Sequence, residues 1–541
     1  VQVEQFLEDS ARRFPDKIAL ICGERRLTYR EVDAACNRMA HGLERLGLRR
    51  GDRATVWLEN SVEAVLAVFA ILKAGGVFMM VNPTTKVEKL EFLLNNSEAR
   101  VLISSQEHLG AMSHYWKKVP ALHAVVSTGS ADEAAEKAGK LSVALTMIME
   151  GKDSRIYPPA KKCIDIDLAS LIYTSGSTGN PKGVMMTHLN MVSAVTSITT
   201  YLGNTPEDIV LNVLPLSFDY GLYQLLMVFK FGGTLVLEKN FVFPHVVLTK
   251  LAEEKVTGFP IVPMMLAMLL QLDLSKYDFS KVRYISNTGA ALPVEHICRL
   301  RRLLPQVTIF SMYGLTECKR VSYLPPEQID RRPSSVGRGM PNEEVYIVDE
   351  GGNRVGPGVV GELVVRGSNV MKGYWRDPAA TERCLRPGSL PYERVLYTGD
   401  LFCADDEGYL YFMGRKDDII KSRGEKVSPR EVENALHSLE GVAEAAVVGV
   451  PDPILGQAIK AVVVLKAGAT IGEADVLRHC RAHLEDFAVP KLVEFRSTMP
   501  RTSTNKINKR ELTGEYQWEQ KTETAPGHEG RESVPLRLIS E

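Results

Sequence analysis

Residues 173–183 read Tyr-Thr-Ser-Gly-Ser-Thr-Gly-Asn-Pro-Lys-Gly. Glycines and small residues let successive backbone N–H groups curl toward an anion, and the hydroxyls of Ser175, Ser177 and Thr178 add donors. Lys182 brings a compact positive charge suited to phosphate. The candidate phosphate contacts are therefore Thr174, Ser175, Gly176, Ser177, Thr178, Gly179 and Lys182. The segment is not a Walker A loop, because Asn180-Pro181 precede the lysine and Gly183 follows it. Read blandly, it is a flexible Gly/Ser surface loop. Such a loop would rarely carry Pro-Lys-Gly at its exit, directly after the apolar run 168–173.

Three further places carry groups of the right type. Tyr313-Gly-Leu-Thr-Glu317 follows the apolar stretch 307–310, where a strand-end loop would face a ligand. Its tyrosine offers an aromatic face for a flat base, and Gly289-Ala290-Ala291 a wall that such a base can approach. Tyr397-Thr-Gly-Asp400 is a turn with an acceptor-only carboxylate suited to two ribose hydroxyls. Lys506 lies in a polar run near the C-terminus. In isolation each has an ordinary reading: a surface Thr-Glu pair, a core tyrosine, a turn former and a solvated lysine.

These residues need elements to position them. Thr28, with Glu31 three residues on, predicts a capped helix, after a hairpin at 18–27. Runs at 53–58 and 77–81 read as strands flanking a buried helix at 61–73. That rhythm predicts a mostly parallel sheet covered by helices, in an α/β body continuing to about residue 320. From 335 to 411 short strands and Gly-rich turns predict a smaller β-rich unit, giving a body of 1–416. Ser428-Pro429-Arg430-Glu431 reads as a helix start with Ser as cap and Pro at the first helical position. Strands at 445–450, 461–465 and 492–495 and a helix near 473–484 complete a separate α+β domain at 417–514. Residues 515–541 read as a loose tail.

The 541 residues carry 65 Lys+Arg against 66 Asp+Glu and are 45% hydrophobic. That balance excludes a disordered chain and makes nucleic acid a poor default partner. The longest apolar stretches, 64–72 and 261–270, fall short of a membrane span. The eight cysteines form no C-x-x-C pair, which argues against a zinc site and for a reducing, cytoplasmic setting.

Taken in order, the motifs resemble those of the AMP-forming acyl- and aryl-CoA synthetases, firefly luciferases and peptide-synthetase adenylation domains. Residues 174–183, Tyr313–Glu317, Gly361-Glu-Leu with Gly373-Tyr-Trp375, Tyr397–Asp400, Gly414-Arg-Lys-Asp-Asp418 and Pro500-Arg with Lys506 all follow that order. The resemblance implies an ATP-dependent ligase. A carboxylic acid would become an acyl-adenylate with release of pyrophosphate, and a pantetheine thiol of CoA, or of a carrier protein in trans, would take the acyl group.

It also implies roles. Thr316 would hydrogen-bond phosphate, Glu317 hold Mg²⁺, and Asp400 and Arg415 grip ribose. Lys506 would reach the substrate carboxylate and α-phosphate. The family usually has Gly before that lysine; here it is Asn505. Asp417 would be a hinge, and Lys421, Gly424 and Lys426 would serve the thiol step, a plain surface hairpin being the alternative. Phe218, Asp219, Tyr220, Gln224, Pro263, Asn287 and Met312 would line the acyl pocket, although many of them fit a core equally well.

Phe218-Asp219 resembles amino-acid-activating domains, whose Asp pairs with the substrate amine. Asp219 thus has two readings, an ammonium site or a carboxylate satisfied by local backbone donors, and the second is favoured. The alternatives are an amino-acid ligase serving a stand-alone carrier protein, or an inactive nucleotide-binding scaffold. The intact Glu317, Asp400 and Lys506 argue against the scaffold.

Overall fold

The computed structural model describes residues 1–150, 156–174, 181–290, 292–416, 418–422, 425–452, 456–502 and 506–513. It divides into two compact units, Val1–Phe412 and a second one beginning at Met413.

Two large sheets build the first unit. In one, six parallel strands run Ile18–Cys22, Thr234–Leu237, Ile209–Asn212, Gly258–Ile261, Tyr284–Asn287 and Thr308–Tyr313 in spatial order. In the other, Leu168–Thr174, Val77–Met80, Arg53–Trp57, Ala99–Ser104, Ala124–Ser127 and Leu141–Ala144 are likewise parallel. Lys182–Thr187 and Gly373–Tyr374 add an antiparallel edge to it. Val77–Met80 is buried on both faces, which is why it reads as a continuous apolar run. The helix Val62–Lys73 is buried along nearly its whole length. Its terminal Lys73 ammonium is tolerated there because Glu8 and Asp33 receive it at 3.1 and 2.8 Å. Thr28 and Glu31 form the expected reciprocal cap.

A smaller antiparallel sheet follows, from Glu343–Val348, Gly361–Gly367, Arg394–Ala404 and Leu385–Pro387. Its second and third strands pair Val364 with Tyr397 and Glu362 with Leu401, so the residues from Thr398 to Asp400 face Leu363 alone. This bulge lifts the Thr-Gly-Asp turn out of the ladder.

In the second unit Val442–Asp452 and Gly456–Leu465 form a long hairpin flanked by Ile420–Ser422 and Leu492–Phe495. Helices Pro429–Ser438 and Glu473–His483 contribute Val432, Leu436, Val476 and Cys480 to its core. The expected serine cap is corrected here. The Ser428 side chain makes no cap bond to the helix, and its hydroxyl donates to the Met413 carbonyl. Proline at the first turn starts the helix without it. The proposed tail lies outside the described residues.

Candidate active site

Two strands flank the candidate phosphate loop, and both carry residues the sequence singled out. Thr174 and Lys182 sit opposite one another in antiparallel register, so the segment between them leaves and re-enters the sheet at one point. Ser175, Gly176, Ser177, Thr178 and Gly179 lie outside the described residues. Gly183 has Tyr173 and Trp375 over it, and a Cβ there would stand 3.1 Å from the Tyr173 ring. The Lys182 ammonium lies 5.4 Å from the centre of the Tyr374 ring.

Tyr374 also serves a second motif. Its hydroxyl donates to Glu317 Oε1 at 2.7 Å, while the Met371 N–H donates to the Glu317 carbonyl at 2.7 Å. The edge segment 371–374 therefore ties the Lys182 strand to the Thr316-Glu317 loop. Burial and the Glu317 charge push the Tyr374 phenol well up, keeping it a donor. The sequence reading treated Gly373-Tyr-Trp as a structural motif; its tyrosine orients the carboxylate.

Asp400 is 4% exposed, and its Oδ2 accepts the Tyr313 hydroxyl at 2.5 Å. Its turn is pinned from beneath. Thr398 Oγ1 donates to the Leu363 carbonyl, Asp400 N–H to Thr398 Oγ1, and Gly399 N–H to Glu362 Oε1. Gly399 has φ +72°, a conformation that favours glycine. The Tyr313 ring stands edge-on to Phe402 and roughly parallel to Phe412, at 4.8 and 6.1 Å between centres. It thus joins an aromatic cluster as well as the carboxylate. Gly289, at φ +87°, lies against Phe218; Ala290 accepts from Asn287 at 2.9 Å, and Ala291 lies outside the described residues.

The acyl candidates divide by burial. Tyr220, Gln224, Asn287 and Met312 are at least 97% buried, whereas Phe218, Asp219 and Pro263 are only partly so. The Tyr220 hydroxyl is satisfied by Ser286, Gln224 donates to the Tyr220 carbonyl, and Met312 sulfur accepts from Tyr201. Asp219 opens the helix Asp219–Phe231, and the cation its charge bears on is Lys319, which the sequence reading did not name. Burial brings the Lys319 ammonium down to about 8. Lys319-Arg320 come one residue after Glu317, with Cys318 between, and two adjacent basic residues in sequence read as a solvated pair. Both are buried.

In the second unit, Arg501 bridges to Ile507, and Thr502 N–H donates to the Lys506 carbonyl at 2.8 Å. The Lys506 N–H returns to Thr502 Oγ1 at 3.2 Å, and the Lys506 side chain is exposed. Asn505 lies outside the described residues. Arg415 is exposed at the end of Leu410–Arg415. Lys421 and Lys426 are paired across a short hairpin, while Asp417 and Gly424 lie outside the described residues. Among the described residues no helix is long and apolar enough to cross a membrane.

The chain matches known proteins along nearly its whole length. Residues 7–375 match the AMP-binding enzyme family, and 431–506 match the AMP-binding enzyme C-terminal domain. It is 31% identical over 540 residues to a long-chain-fatty-acid–CoA ligase of Bacillus subtilis, covering 95% of this chain and 94% of that one. It is 34% identical over 510 residues to a feruloyl-CoA synthase of an Amycolatopsis species, covering 93% and 96%. Among solved structures it resembles the anthranilate CoA ligase AuaEII bound to anthranoyl-AMP, with a TM-score of 0.85 at 28% identity over 95% and 96% of the two chains. The o-succinylbenzoate CoA synthetase of Bacillus subtilis, bound to its acyl-adenylate, gives 0.82 at 29% over 95% and 99%. The chain belongs to the AMP-binding enzyme family, as an ATP-using, AMP-forming acid–thiol ligase of the acyl-CoA synthetase type.

Proposed function

We propose that the acid is an organic acid without an α-amino group, that CoA accepts the acyl group, and that Glu317, Asp400 and Lys506 carry the adenylation step. The observation that carries this reading is the pair of carboxylates held by tyrosines: Glu317 by Tyr374 and Asp400 by Tyr313. Each is oriented before any ligand arrives, as a site that works by positioning and electrostatics requires.

Asp400 takes the ribose hydroxyls with Arg415, and Thr316 and Lys182 take phosphate oxygens. The substrate carboxylate oxygen bonds to the α-phosphorus, the α–β phosphate bond breaks, and pyrophosphate leaves. Lys506 offsets the negative charge that gathers between the two anions. A thiolate then attacks the acyl carbon, and the bond to AMP breaks. The junction 414–418 acts as the hinge between the two half-reactions, at Asp417, and Lys421, Gly424 and Lys426 serve the second.

Glu317 also fits Mg²⁺, which binds oxygen donors through one or two carboxylates plus substrate phosphates. Its carboxylate is a hard donor, fixed at Oε1 by Tyr374. When bound, the ion would neutralise charge on the phosphates.

The names of the relatives, fatty-acid, feruloyl and anthranilate ligases, support an aliphatic or aryl acid. Against the amino-acid reading stands Lys319: an incoming ammonium would meet a cation already bearing on Asp219. The test is ATP–pyrophosphate exchange over fatty, aryl and amino acids. Exchange with fatty or aryl acids, followed by CoA-dependent release of AMP, is expected. Exchange with amino acids alone would overturn the assignment.

A further inference from the structure

The loop after Glu317 doubles back so tightly that it carries two cations into the interior. Lys319 N–H donates to the Leu315 carbonyl at 2.7 Å, and Val321 N–H to the Tyr313 carbonyl at 2.9 Å. Gly314 permits this, since a Cβ there would stand 2.0 Å from the Lys319 carbonyl oxygen. Asn369 clamps the turn by donating to the carbonyls of Cys318 and Arg320. Lys319 takes φ +69°, in the left-handed region, where a side chain other than glycine or asparagine is uncommon. Strain of that kind persists only where the surroundings enforce it.

The result is two buried cationic side chains with unused donors. Lys319 and Arg320 are 1% and 3% exposed. Lys319 Nζ, together with Arg320 Nε and Nη2, has no hydrogen-bond partner among the described residues. Arg320 Nη1 donates to the Lys319 carbonyl at 3.3 Å. The Lys319 ammonium stands 5.5 Å from the centre of the Tyr223 ring and the Arg320 guanidinium 4.7 Å from that of Tyr220. The Tyr223 hydroxyl is likewise buried without a hydrogen-bond partner among the described residues. Tyr220 and Tyr223 are the second and fifth residues of the helix opened by Asp219, so these donors gather at the wall assigned to the acyl group.

Buried cations are normally paired, because leaving one unmatched forfeits its hydration. The negative charges that bear on Lys319 are those of Asp219 and Glu317. Among the described residues, however, neither carboxylate accepts a hydrogen bond from Lys319 Nζ or from Arg320 Nε and Nη2, so these donors stay unmatched. The matching ligand group is an anion that accepts several hydrogen bonds, which a carboxylate does and a methyl terminus does not.

Resting on the acid–thiol ligase reading, we infer that Lys319 and Arg320, with the Tyr223 hydroxyl, form a subsite for a second carboxylate, so that the preferred substrate is a dicarboxylic acid activated at one end and held at the other.

The test compares ATP–pyrophosphate exchange for straight-chain monoacids and α,ω-diacids matched in carbon number from four to ten, in the wild type, Lys319→Met and Lys319→Arg. The wild type should favour the diacid of the best-fitting length by at least about tenfold in kcat/KM, the scale of one charge-assisted hydrogen bond. Lys319→Met should invert that preference, and Lys319→Arg should retain most of it. If Lys319→Met does not fold, wild-type preference for diacids over matched monoacids and its retention in Lys319→Arg decide the matter. Robust exchange with monoacids and none with diacids would overturn the subsite and leave the ligase reading standing. An unchanged ratio in Lys319→Met would do the same. Exchange with no carboxylate at all, in protein that binds ATP, would overturn both.

Discussion

The two units hold their charged chemistry in opposite ways. In the first, the two candidate nucleotide-site carboxylates each have a tyrosine partner: Glu317 has Tyr374, and Asp400 has Tyr313 above a turn pinned by Thr398 and Glu362. In the second, the Lys506 backbone is fixed by Thr502 while its side chain lies exposed on the surface. The first arrangement suits groups that must be oriented before substrate binds. The second suits a charge that must be delivered and withdrawn, since a lysine held by a strong partner would have to break that bond at every turnover. The contrast separates preorganised grip from delivered charge.

The sharpest way to break it is Lys506→Ala. Acyl-adenylate formation should fall about 10²–10³-fold, the range for losing one transition-state donor. Thioester formation from a supplied acyl-adenylate should be largely spared. Rapid-quench measurement of both half-reactions checks this, and equal loss in both would show that Lys506 is not a charge used in one step.

A second test asks whether the units also respond separately to acid. Burial, then the charges of Arg430 and Lys466, hold His437 down to about 4, against an ordinary 6.5. Between those values the unfolded chain takes up a proton that the folded unit refuses. Stability of the second unit should therefore fall as pH drops from about 6.5 to about 4, by roughly 2 kcal/mol. Hydrogen exchange by mass spectrometry at pH 7 and pH 4.5, with each rate divided by the intrinsic rate at that pH, should show lower protection in the helix Pro429–Ser438 at the lower pH. His437→Gln should abolish the difference. An equal loss of protection throughout Val1–Phe412 would refute the local origin.

The smallest effect concerns the grip itself. Tyr374→Phe removes one hydrogen bond to Glu317, worth about 1 kcal/mol, so kcat/KM for ATP should drop about fivefold. The loss should appear in adenylation alone, and no change would mean that Glu317 needs no orienting partner.

Legibility followed the kind of constraint. The phosphate-loop strands, the Thr28 cap and the parallel rhythm were readable because local propensity and burial on both faces leave marks on neighbouring residues. Ser428 misled because serine before proline resembles a cap whatever its hydroxyl does; here the Met413 carbonyl competes for it. Tyr374 stood inside a recognised motif, yet its bond to Glu317 spans 57 positions, beyond any local pattern.

By itself, the sequence determined the order of the chemical groups: a hydroxyl-rich loop with Lys182, then Glu317, Asp400 and Lys506, spaced along a chain able to build two parallel sheets. Only the tertiary structure decided which of those groups are held and by whom, and that Lys319 and Arg320 turn inward. The reason is that a side chain's protonation, orientation and burial depend on partners brought from distant segments by the sheets. Two basic residues side by side look the same in sequence whether water or the protein interior surrounds them.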